Sequence, residues 1–426
     1  MTRFGVSPPR IAVERAASPY ASHDTSFGSL IVPYRANLAC RLLASLTLFG
    51  LAGCQLPQAQ TGANAPASFH PISFASLPGW STAQAQAGLR AFQRSCTALA
   101  VLPEDQKLGG ANLGLPSINQ AGAWRPACAA AKSVPPGNPQ AAETFFTTYF
   151  TPYASSAPTR LTGYFEPLLA GSEVPLAGYD FPVYGKPNTL ITANLGRFKP
   201  ALVGQHLTGR LRLQKFVPFY SRASIDNGAL RRGGHAVGWL RSAADAYLLQ
   251  LQGFGRMRLP DGSLVDLVFD DTNGRPYVPI GKLLAAQGDL SANDLSVQSI
   301  INWLQDHPNQ ARTITAQNPN YVFFKRVHDI PANLGAPGAL GVPLTPRHSI
   351  AIAAGSVPLG APVFVTAPGF TRLTAAQDID VSAKGAAAAQ IFFGVGAKAE
   401  TQAGAFLQTG QITLLLPRPL SPQPAG

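Results

Sequence analysis

Two periodicities divide the chain. Up to about residue 150, apolar residues recur at helical spacing, which predicts one helix within residues 80–101 and a second over residues 141–150. The apolar positions of the first helix are Leu89, Phe92, Cys96 and Leu99. From Leu161 onward, short apolar runs alternate with polar residues and are broken by Gly and Pro, which is typical of strands.

Alternation is clearest in two segments of the second half. Residues 247–252 and 263–269 each read as a strand, and the intervening Leu259-Pro260-Asp261-Gly262 predicts a hairpin-type turn. One helix is predicted over residues 297–306, with Ser296 as its N-cap. Strands are then expected to resume at residue 321 and to run to residue 416.

Composition supports a folded, mainly β protein. The 426 residues allow two domains with cores of their own, and a hydrophobic fraction of 46% with 23 Phe and 11 Tyr excludes wholesale disorder. The 41 Gly and 38 Pro leave little room for long helices. We therefore expect a mainly β fold with barrel-like sheets and a few short helices.

The charge balance is basic. Lys and Arg number 33 against 21 Asp and Glu, a formal net charge of +12. An excess of this size favours an anionic partner, such as the bacterial wall or a membrane surface, although a solvated basic surface is the alternative. The chain has no dense Lys/Arg block, so we expect no nucleic acid as a partner.

The N-terminal region indicates export. Arg41 is followed by the apolar run of residues 42–51, which is too short to span a bilayer but has the length of a signal-peptide core. Leu51-Ala52-Gly53-Cys54 then resembles a lipobox, in which Cys54 is acylated and becomes the mature N-terminus. The alternative is a buried apolar segment that ends in a chance cysteine. Residues 1–38 match no known targeting element, so we expect translation to start downstream of Met1.

These features predict a location and a first division of the chain. Residues 1–54 are an extension with a lipoprotein signal peptide, and residues 55–74, rich in small and polar types, are a flexible tether. Gln55 is not an acidic retention signal, which favours lipid anchoring at the periplasmic face of the outer membrane. Cys96 and Cys128 remain after cleavage and could pair in the oxidising periplasm, or could be two buried thiols.

The sequence lacks the motifs that would indicate a metal site, a serine nucleophile or a phosphate-binding loop. Seven His residues are scattered without ligand-like spacing and CxxC is absent, so we expect no metal. GxSxG is also absent, and the Gly-rich Gly253-Phe254-Gly255-Arg256 lacks the Lys-Ser/Thr of a phosphate loop and reads as a tight turn. We expect no cofactor.

Carboxyl groups are the remaining candidates for catalysis. In Asp378-Ile379-Asp380, an extended backbone would place both carboxylates on one face. Repulsion between them would raise one pKa if the pair is partly buried, which suits a general acid. The alternative is a solvated strand end. Asp261, Asp270 and Asp271 adjoin turn residues, and turn capping accounts for them.

Several stretches together resemble the membrane-bound lytic murein transglycosylase A family, in order and spacing from about residue 75 to 418. They are Leu161-Thr162-Gly163-Tyr164-Phe165-Glu166-Pro167, residues 221–230, residues 249–256, residues 272–281, residues 318–324 and residues 338–346.

The resemblance implies a fold, a ligand and a reaction. A double-psi β-barrel domain would comprise residues 75–167 and 311–418, the latter resembling the family's three-aspartate region. A smaller β-barrel would be inserted over residues 168–310, and residues 419–426 would be a loose tail. Glycan strands of peptidoglycan would bind between the domains. The family cleaves the β-1,4 bond between N-acetylmuramic acid and N-acetylglucosamine without water, and leaves a 1,6-anhydro sugar.

The resemblance also suggests residues that bind the glycan in the groove. Tyr164 could stack on a sugar or pack in the core, and Gly253 and Gly255 could contact ligand or only form the turn. The full set is Thr162, Tyr164, Gln250, Gln252, Gly253, Gly255 and Asn273.

The expected catalytic positions depart from the family pattern. Ala353 stands where the first aspartate is expected, and Gln390 stands where the aspartate that carries the proton is expected. Asp378 is retained, and Asp380 replaces a glycine. An amide cannot supply an acidic proton, so Asp378 and Asp380 are the candidate substitutes.

Three hypotheses follow. The chain is an active transglycosylase that uses Asp378 or Asp380, or an inactive relative that binds glycan or holds other cell-wall enzymes together, or an interaction module that no longer binds sugar. The retained groove residues argue against the third.

Overall fold

The computed structural model describes most of the chain beyond the tether. The described residues are 68–418, except 111–112, 114–115, 232–233, 293–294, 354, 381–382 and 384–387. The predicted signal segment, Cys54 and most of the tether therefore lie outside the described residues, as does the tail from residue 419. Within the described ranges, no helix has both the length and the apolarity needed to cross a membrane.

Strands dominate the architecture, which confirms the mainly β class. They are β1 Phe69–Pro71, β2 Phe150–Ser155, β3 Thr159–Glu166, β4 Leu168–Ser172, β5 Phe181–Tyr184, β6 Ile191–Asn194, β7 His206–Arg212, β8 Lys215–Pro218, β9 Ala236–Leu240, β10 Phe254–Arg258, β11 Leu264–Thr272, β12 Val322–Val327, β13 Ser349–Ala353, β14 Pro362–Ala367, β15 Phe370–Asp380, β16 Ala388–Val395 and β17 Leu407–Pro417.

The helices lie mainly before β2 and between the strands of the second half. They are α1 Thr82–Leu99, α2 Arg125–Lys132, α3 Pro139–Tyr149, α4 Arg222–Ser224, α5 Ala243–Gln252, α6 Ile280–Gln287, α7 Val297–Asp306, α8 Pro308–Thr315 and α9 Ala397–Gly404. The helices predicted within residues 80–101, over 141–150 and over 297–306 are confirmed as α1, α3 and α7. Ser296 caps α7 as predicted, because its hydroxyl accepts a hydrogen bond from the Ser299 N–H.

Six strands of the largest sheet pair in a closed ring. The order is β17, β14, β15, β13, β16 and β3, and β3 pairs again with β17. The β13–β15 and β16–β3 pairs are parallel, and the other pairs in the ring are antiparallel. Closure leaves no edge within the ring and gives each strand an inside and an outside face.

The inside of the ring is apolar, and α1 covers part of the outer wall. Ile350, Ile352, Ile391 and Leu414 are almost completely buried in the same core as Phe92 of α1. Helix α1 approaches β15 so closely that a Cβ on Gly88 would lie 2.5 Å from Cγ of Leu373. A larger residue at position 88 would therefore push α1 away from the barrel.

A β-bulge interrupts β15 at Gln377, near the C-terminal end of the strand. Ile350 of β13 pairs with Ala376, but the next residue, Ala351, pairs with Asp378, so Gln377 is the extra residue. The Gln377 side chain is fully buried. Its amide nitrogen donates to the Ala91 carbonyl at 2.8 Å and to the Ser95 hydroxyl at 3.0 Å, while its oxygen accepts from the Ser349 hydroxyl at 2.5 Å. These contacts hold the bulge against α1 and determine the direction of Asp378.

A second sheet lies beside the barrel within the same compact unit. Its strand order is β12, β11, β10, β4, β9 and β5, and helices α5 to α8 pack into its core. The chain passes from the barrel strand β3 to β4 at Pro167. Strand β12 lies beyond residue 310, the predicted end of the insertion, and Phe324 of β12 is buried in this second core. The second sheet therefore extends to Val327.

The elements of the second sheet agree only in part with those predicted from the sequence. The hairpin turn predicted at residues 259–262 is confirmed, because it joins the antiparallel strands β10 and β11. The strand predicted at residues 247–252 is wrong, because this segment forms the end of α5. Ser242 caps that helix at its N-terminus, and the buried residues Ala244, Tyr247 and Leu248 follow helical spacing.

Buried charges join the two sheets. Arg256 of β10 donates from Nε to Asp266 of β11 at 2.7 Å, and its Nε lies 3.8 Å from the Glu166 carboxylate at the end of β3. Glu166 also accepts a hydrogen bond from the Ala336 N–H at 2.8 Å. Burial raises the pKa of Glu166 well above its usual range, the Asp266 carboxyl raises it further, and the Arg256 guanidinium opposes the rise.

A disulfide joins α1 to α2. The Cys96 and Cys128 sulfur atoms are bonded, their Cα atoms lie 5.2 Å apart, and both side chains are buried. The two positions are 32 residues apart in the sequence. A cross-link of that span restricts the unfolded chain by about 3–4 kcal/mol of conformational free energy.

We expect the Cys96→Ala, Cys128→Ala double variant to lose about 3–4 kcal/mol of its free energy of unfolding, measured in urea. Dithiothreitol should lower the unfolding midpoint of the wild-type protein and leave that of the variant unchanged. A wild-type midpoint insensitive to the reductant would show that the bond does not stabilise the fold.

Candidate active site

Four adjacent strands of the barrel bring the predicted catalytic positions into one row. Asp378 of β15 pairs with Ala351 of β13, Ala351 pairs with Gln390 of β16, and Gln390 pairs with Thr162 of β3. Residues paired in this way lie side by side on the same face of a sheet. Asp380 lies two residues after Asp378 and pairs with Ala353, so it occupies the next row.

This row lies on the outside of the barrel. The neighbouring residues Leu161, Ile352 and Ile391 point into the barrel core, and strand alternation directs the row to the opposite face. On that face, Tyr164, Ala351 and Phe392 pack in a separate cluster with Phe254 and Val268 of the second sheet. The candidate site therefore adjoins the place where the barrel wall meets the second sheet.

Asp378 is a partly buried carboxyl in a well-defined setting. One carboxylate oxygen accepts hydrogen bonds from the backbone N–H groups of Ala339 and Ile379, each at 3.0 Å. Burial raises the pKa of Asp378 to about 6, although these two hydrogen bonds and the neighbouring Tyr164 hydroxyl oppose the rise. The Asp380 carboxylate raises it further. A carboxyl with this pKa keeps a protonated fraction near neutral pH and can donate a proton.

The segment over Asp378 depends on a glycine. A Cβ on Gly338 would lie 2.6 Å from the Gln377 carbonyl oxygen and 3.1 Å from Cβ of Asp378. Because Gly338 has no side chain, the next residue, Ala339, can bring its N–H onto the Asp378 carboxylate. The 338–346 stretch was part of the sequence resemblance, but its contact with Asp378 was not predicted.

Gln390 and Asp380 interact directly. The Gln390 amide nitrogen donates to an Asp380 carboxylate oxygen at 2.8 Å, and the other oxygen accepts from the Ala383 N–H at 3.2 Å. An Asp380 carboxylate thus lies within hydrogen-bonding distance of the side chain at position 390. Beside it, the Ala353 side chain offers no polar group. At this edge of the site, β15 therefore supplies the carboxylate of Asp380 and β16 supplies the amide of Gln390.

The aromatic residues of the site are packed against each other. The Tyr164 ring lies 5.3 Å from that of Phe392 and 6.2 Å from that of Phe254, between ring centroids. Tyr164 is only 8% exposed, so its ring face is not open to a sugar. Of the two alternatives for Tyr164, the structure shows core packing, with the hydroxyl beside Asp378. Burial and that carboxylate raise the pKa of Tyr164 well above its usual range.

Four predicted groove residues lie at the α5–β10 junction. The side-chain amide oxygen of Gln250 accepts from Arg222 at 2.7 Å and from the Val322 N–H at 3.2 Å, so this side chain stabilises the second sheet. Gln252 ends α5 and is partly buried. Because residues 247–252 form a helix and not the predicted strand, Gln250 and Gln252 point in different directions from α5.

The two glycines of this junction have conformational roles. Gly253 ends α5 in the left-handed conformation, with φ of 77°. At Gly255, a Cβ would lie 2.8 Å from the Leu249 side chain and 3.2 Å from that of Pro167. The turn-forming alternative accounts for Gly253, whereas Gly255 lies within β10 and allows close packing against Leu249 and Pro167.

Asn273 is a structural residue rather than a groove contact. It is fully buried, its amide nitrogen donates to the Tyr220 and Pro319 carbonyls, and its oxygen accepts from the Arg275 and Tyr321 N–H groups. All the hydrogen-bonding groups of its side chain are thus used by the protein, which leaves none of them for the predicted contact with glycan.

Arg222 was not singled out from the sequence, although it lies in the 221–230 stretch. It is buried, and it donates to the Asn318 and Asn320 carbonyls and to Gln250. Its guanidinium lies 5.2 Å from the Tyr247 ring and 5.4 Å from the Tyr321 ring. Arg222 therefore organises the loops of the second sheet. In the described part of the chain, no group of three or more His, Cys, Asp or Glu side chains could hold a metal.

Comparison with known proteins identifies two matching sequence families. The MltA specific insert domain matches residues 160–325, and the 3D domain matches residues 348–416. Membrane-bound lytic murein transglycosylase A of Escherichia coli K12 is 30% identical over 212 residues, which cover 47% of this chain and 56% of the relative. The Vibrio cholerae protein of the same name is 29% identical over 150 residues, which cover 35% of this chain and 40% of the relative. The chain thus spans about half the length of these curated relatives.

Solved structures share the fold over most of the chain. MltA from Neisseria gonorrhoeae superposes with a TM-score of 0.69 at 27% identity, over 85% of this chain and 94% of that chain. A membrane-bound lytic murein transglycosylase from Agrobacterium tumefaciens gives 0.71 at 27% identity, over 82% and 98%. The lytic transglycosylase LtgG of Burkholderia pseudomallei is 31% identical with a TM-score of 0.52, over 84% of this chain and 99% of that chain. With both family matches and these structures, the chain belongs to the membrane-bound lytic murein transglycosylase A family.

Proposed function

We propose that this protein is a lytic transglycosylase of peptidoglycan, with Asp378 as the general acid. The observation that carries the proposal is the Asp378 carboxyl, whose pKa is raised to about 6 on the face of the barrel that adjoins the second sheet. The names of the relatives support murein glycan strands as the substrate. The bond cleaved would be the β-1,4 bond between N-acetylmuramic acid and N-acetylglucosamine.

One carboxyl group suffices for this reaction. Protonated Asp378 gives its proton to the bridging oxygen as the glycosidic bond breaks. The C6 hydroxyl of the muramoyl sugar attacks C1 of the same sugar, and the Asp378 carboxylate accepts the proton that this hydroxyl loses. The product is a 1,6-anhydro sugar, and the enzyme returns to its starting state without a cofactor.

In the proposed reaction, Asp380 and Gln390 assist catalysis without transferring the proton. The developing positive charge at C1 favours a nearby carboxylate, and Asp380 supplies one on the same face as Asp378. The Gln390 amide holds Asp380 through the 2.8 Å hydrogen bond. Thr162, in the same row, and Gln252, at the end of α5, are the proposed glycan contacts among the residues predicted from the sequence.

A second candidate function is binding of glycan strands without cleavage, because Gln390 carries an amide where the resemblance implies the aspartate that carries the proton. An amide can neither donate an acidic proton nor take one back, and loss of general acid catalysis costs on the order of 10²–10⁴ in rate. In this role the protein would hold other cell-wall enzymes at the glycan.

The proposed location is the periplasmic face of the outer membrane, with Cys54 as the lipid-anchored residue. The names of the curated relatives, which are membrane-bound proteins, support association with a membrane. The basic charge of +12 is compatible with the anionic surfaces of the cell envelope.

We expect Asp378→Asn to lower the release of 1,6-anhydro muropeptides from purified peptidoglycan by about 10²–10⁴-fold, because asparagine cannot donate the proton. Asp380→Asn should reduce the rate less. The matched control is Asp306→Asn, an exposed carboxyl at the end of α7. Products are identified by mass spectrometry, and an Asp378→Asn protein as active as the control would exclude Asp378 as the acid.

The rate should depend on pH through Asp378. The protonated form is the donor, so activity should be highest below pH 6 and fall about tenfold per pH unit above it. The measurement is initial product release between pH 5 and pH 8, with folding checked by circular dichroism at each pH. A rate that rises across this range would contradict a proton donor with this pKa.

Gln390→Asp distinguishes the two candidate functions. If Asp378 is the acid, the wild-type protein releases anhydro products, and Gln390→Asp changes the rate by less than about tenfold. The matched control is Gln411→Asp, at an exposed position on β17. An inactive wild-type protein that gains activity only through Gln390→Asp would establish the second candidate in place of the first.

A further inference from the structure

A small three-stranded sheet of the chain exposes a large apolar surface. Strands β6, β7 and β8 form it, in that order. Seven of the fifteen large hydrophobic side chains that are exposed in the described chain lie within residues 191–216. Leu207 is 52% exposed, Leu211 61% and Leu213 88%. A concentration of this kind marks an interaction surface rather than scattered apolar residues.

The pairing register places the apolar residues on one face. Leu211 pairs with Phe216 and Ala193 with Leu207, while Gly209 pairs with both Ile191 and Pro218. Paired residues and residues two apart share a face of a sheet, so this face carries apolar groups from all three strands. We call it the β6–β8 apolar face.

The opposite face attaches the small sheet to the rest of the protein. The Arg210 guanidinium lies 4.1 Å from the centroid of the Tyr220 ring. Thr208 packs so closely on the 273–275 turn that a Cβ on Gly274 would lie 2.5 Å from Cβ of Thr208. Since the polar face is turned toward the body, the apolar face is turned away from it.

The surroundings of the apolar face are basic. Residues 181–225 contain seven Lys and Arg and neither Asp nor Glu. The structure describes every residue of this segment. Its exposed cations form no ion pair with a described acid. They are Arg197, Lys199, Arg212 and Lys215. An apolar surface bordered at its hairpin tip by Arg212 and Lys215 complements an anionic surface that also has an apolar layer.

The tip of the β7–β8 hairpin carries a strained turn. Leu213 and Gln214 have φ of 46° and 61°, a conformation that suits glycine or asparagine and costs about 1–2 kcal/mol for a residue such as leucine. The strain keeps a nearly fully exposed leucine at the outermost point, between Arg212 and Lys215. A two-residue hairpin turn of this kind has φ above 0° at both central positions, so the strain belongs to the turn itself.

We propose that the β6–β8 apolar face docks on a bilayer that contains anionic phospholipid, with Leu211 and Leu213 in the acyl boundary and Arg212 and Lys215 at the phosphates. A glycan would require hydrogen-bonding groups that this face lacks. A second copy of the chain would bring two sets of like charges together. The inference does not depend on whether the protein cleaves glycan, and it adds a contact separate from the proposed lipid on Cys54.

The test places an indole at the tip of the hairpin in the full-length chain. Leu213→Trp protein is mixed with vesicles of phosphatidylethanolamine and phosphatidylglycerol that contain brominated phospholipid, and the signal of the parent protein with its four native Trp is subtracted. The new indole should shift its emission to the blue and be quenched by bromine. The matched control is Val101→Trp, at a position that is 70% exposed and remote in sequence.

Charge is tested in the same background. Arg212→Gln with Lys215→Gln should weaken vesicle binding of the new indole by about 25-fold, since each cation near an anionic surface contributes roughly fivefold. An indole at position 213 that is no better quenched than the control would overturn the proposal. Equal quenching with pure phosphatidylcholine would also overturn it. So would a blue shift without vesicles that coincides with dimer formation in sedimentation, because the face would then bind a second copy.

Discussion

The closed ring of six barrel strands is the constraint on which the site depends. Closure separates an apolar interior, filled by residues such as Ile350, Ile352 and Ile391, from an outer face on which polar residues can remain. The bulge at Gln377 then changes the alternation of β15 just before its end. Because the Gln377 side chain packs against α1 and is held by three hydrogen bonds, the bulge fixes the direction of Asp378 on the outer face of the barrel. The position of the candidate acid is therefore determined by packing between β15 and α1 as much as by its own neighbours.

The second sheet depends on the same strands. The chain leaves the barrel through β3, and the Glu166 carboxyl at the end of β3 meets Arg256 and Asp266 of the second sheet in a fully buried cluster. Removing Arg256 would leave the buried Asp266 carboxylate without its cation, which is costly. Ala336, whose N–H binds Glu166, lies three residues before Ala339, whose N–H binds Asp378. One short segment thus contacts both the junction of the sheets and the candidate acid.

Residues that differ from the family pattern lie next to each other in the structure. Ala353 pairs with Asp380, and Gln390 donates a hydrogen bond to Asp380. A carboxylate on β15 thus lies beside the two positions, on β13 and β16, where carboxylates were expected from the resemblance. Of the groove residues inferred from the same resemblance, some lie at the candidate site and others lie away from it. Thr162 lies in the row of the candidate site, whereas Asn273 and Gln250 bind parts of the protein itself.

Local sequence patterns were sufficient to predict the fold class, the helices α1, α3 and α7, the β10–β11 turn and the pair of acids at the end of β15. These depend on local periodicity, capping residues and turn residues, or on motifs that can be recognised in order. The helical state of residues 247–252 was decided by tertiary packing, because Tyr247 and Leu248 are buried against the second sheet although the segment alternates like a strand. The raised pKa of Asp378, the Gln390–Asp380 hydrogen bond and the burial of Asn273 were likewise decided only by the tertiary structure. Each depends on contacts between segments far apart in the chain, and burial and hydrogen-bond geometry arise only when those segments meet.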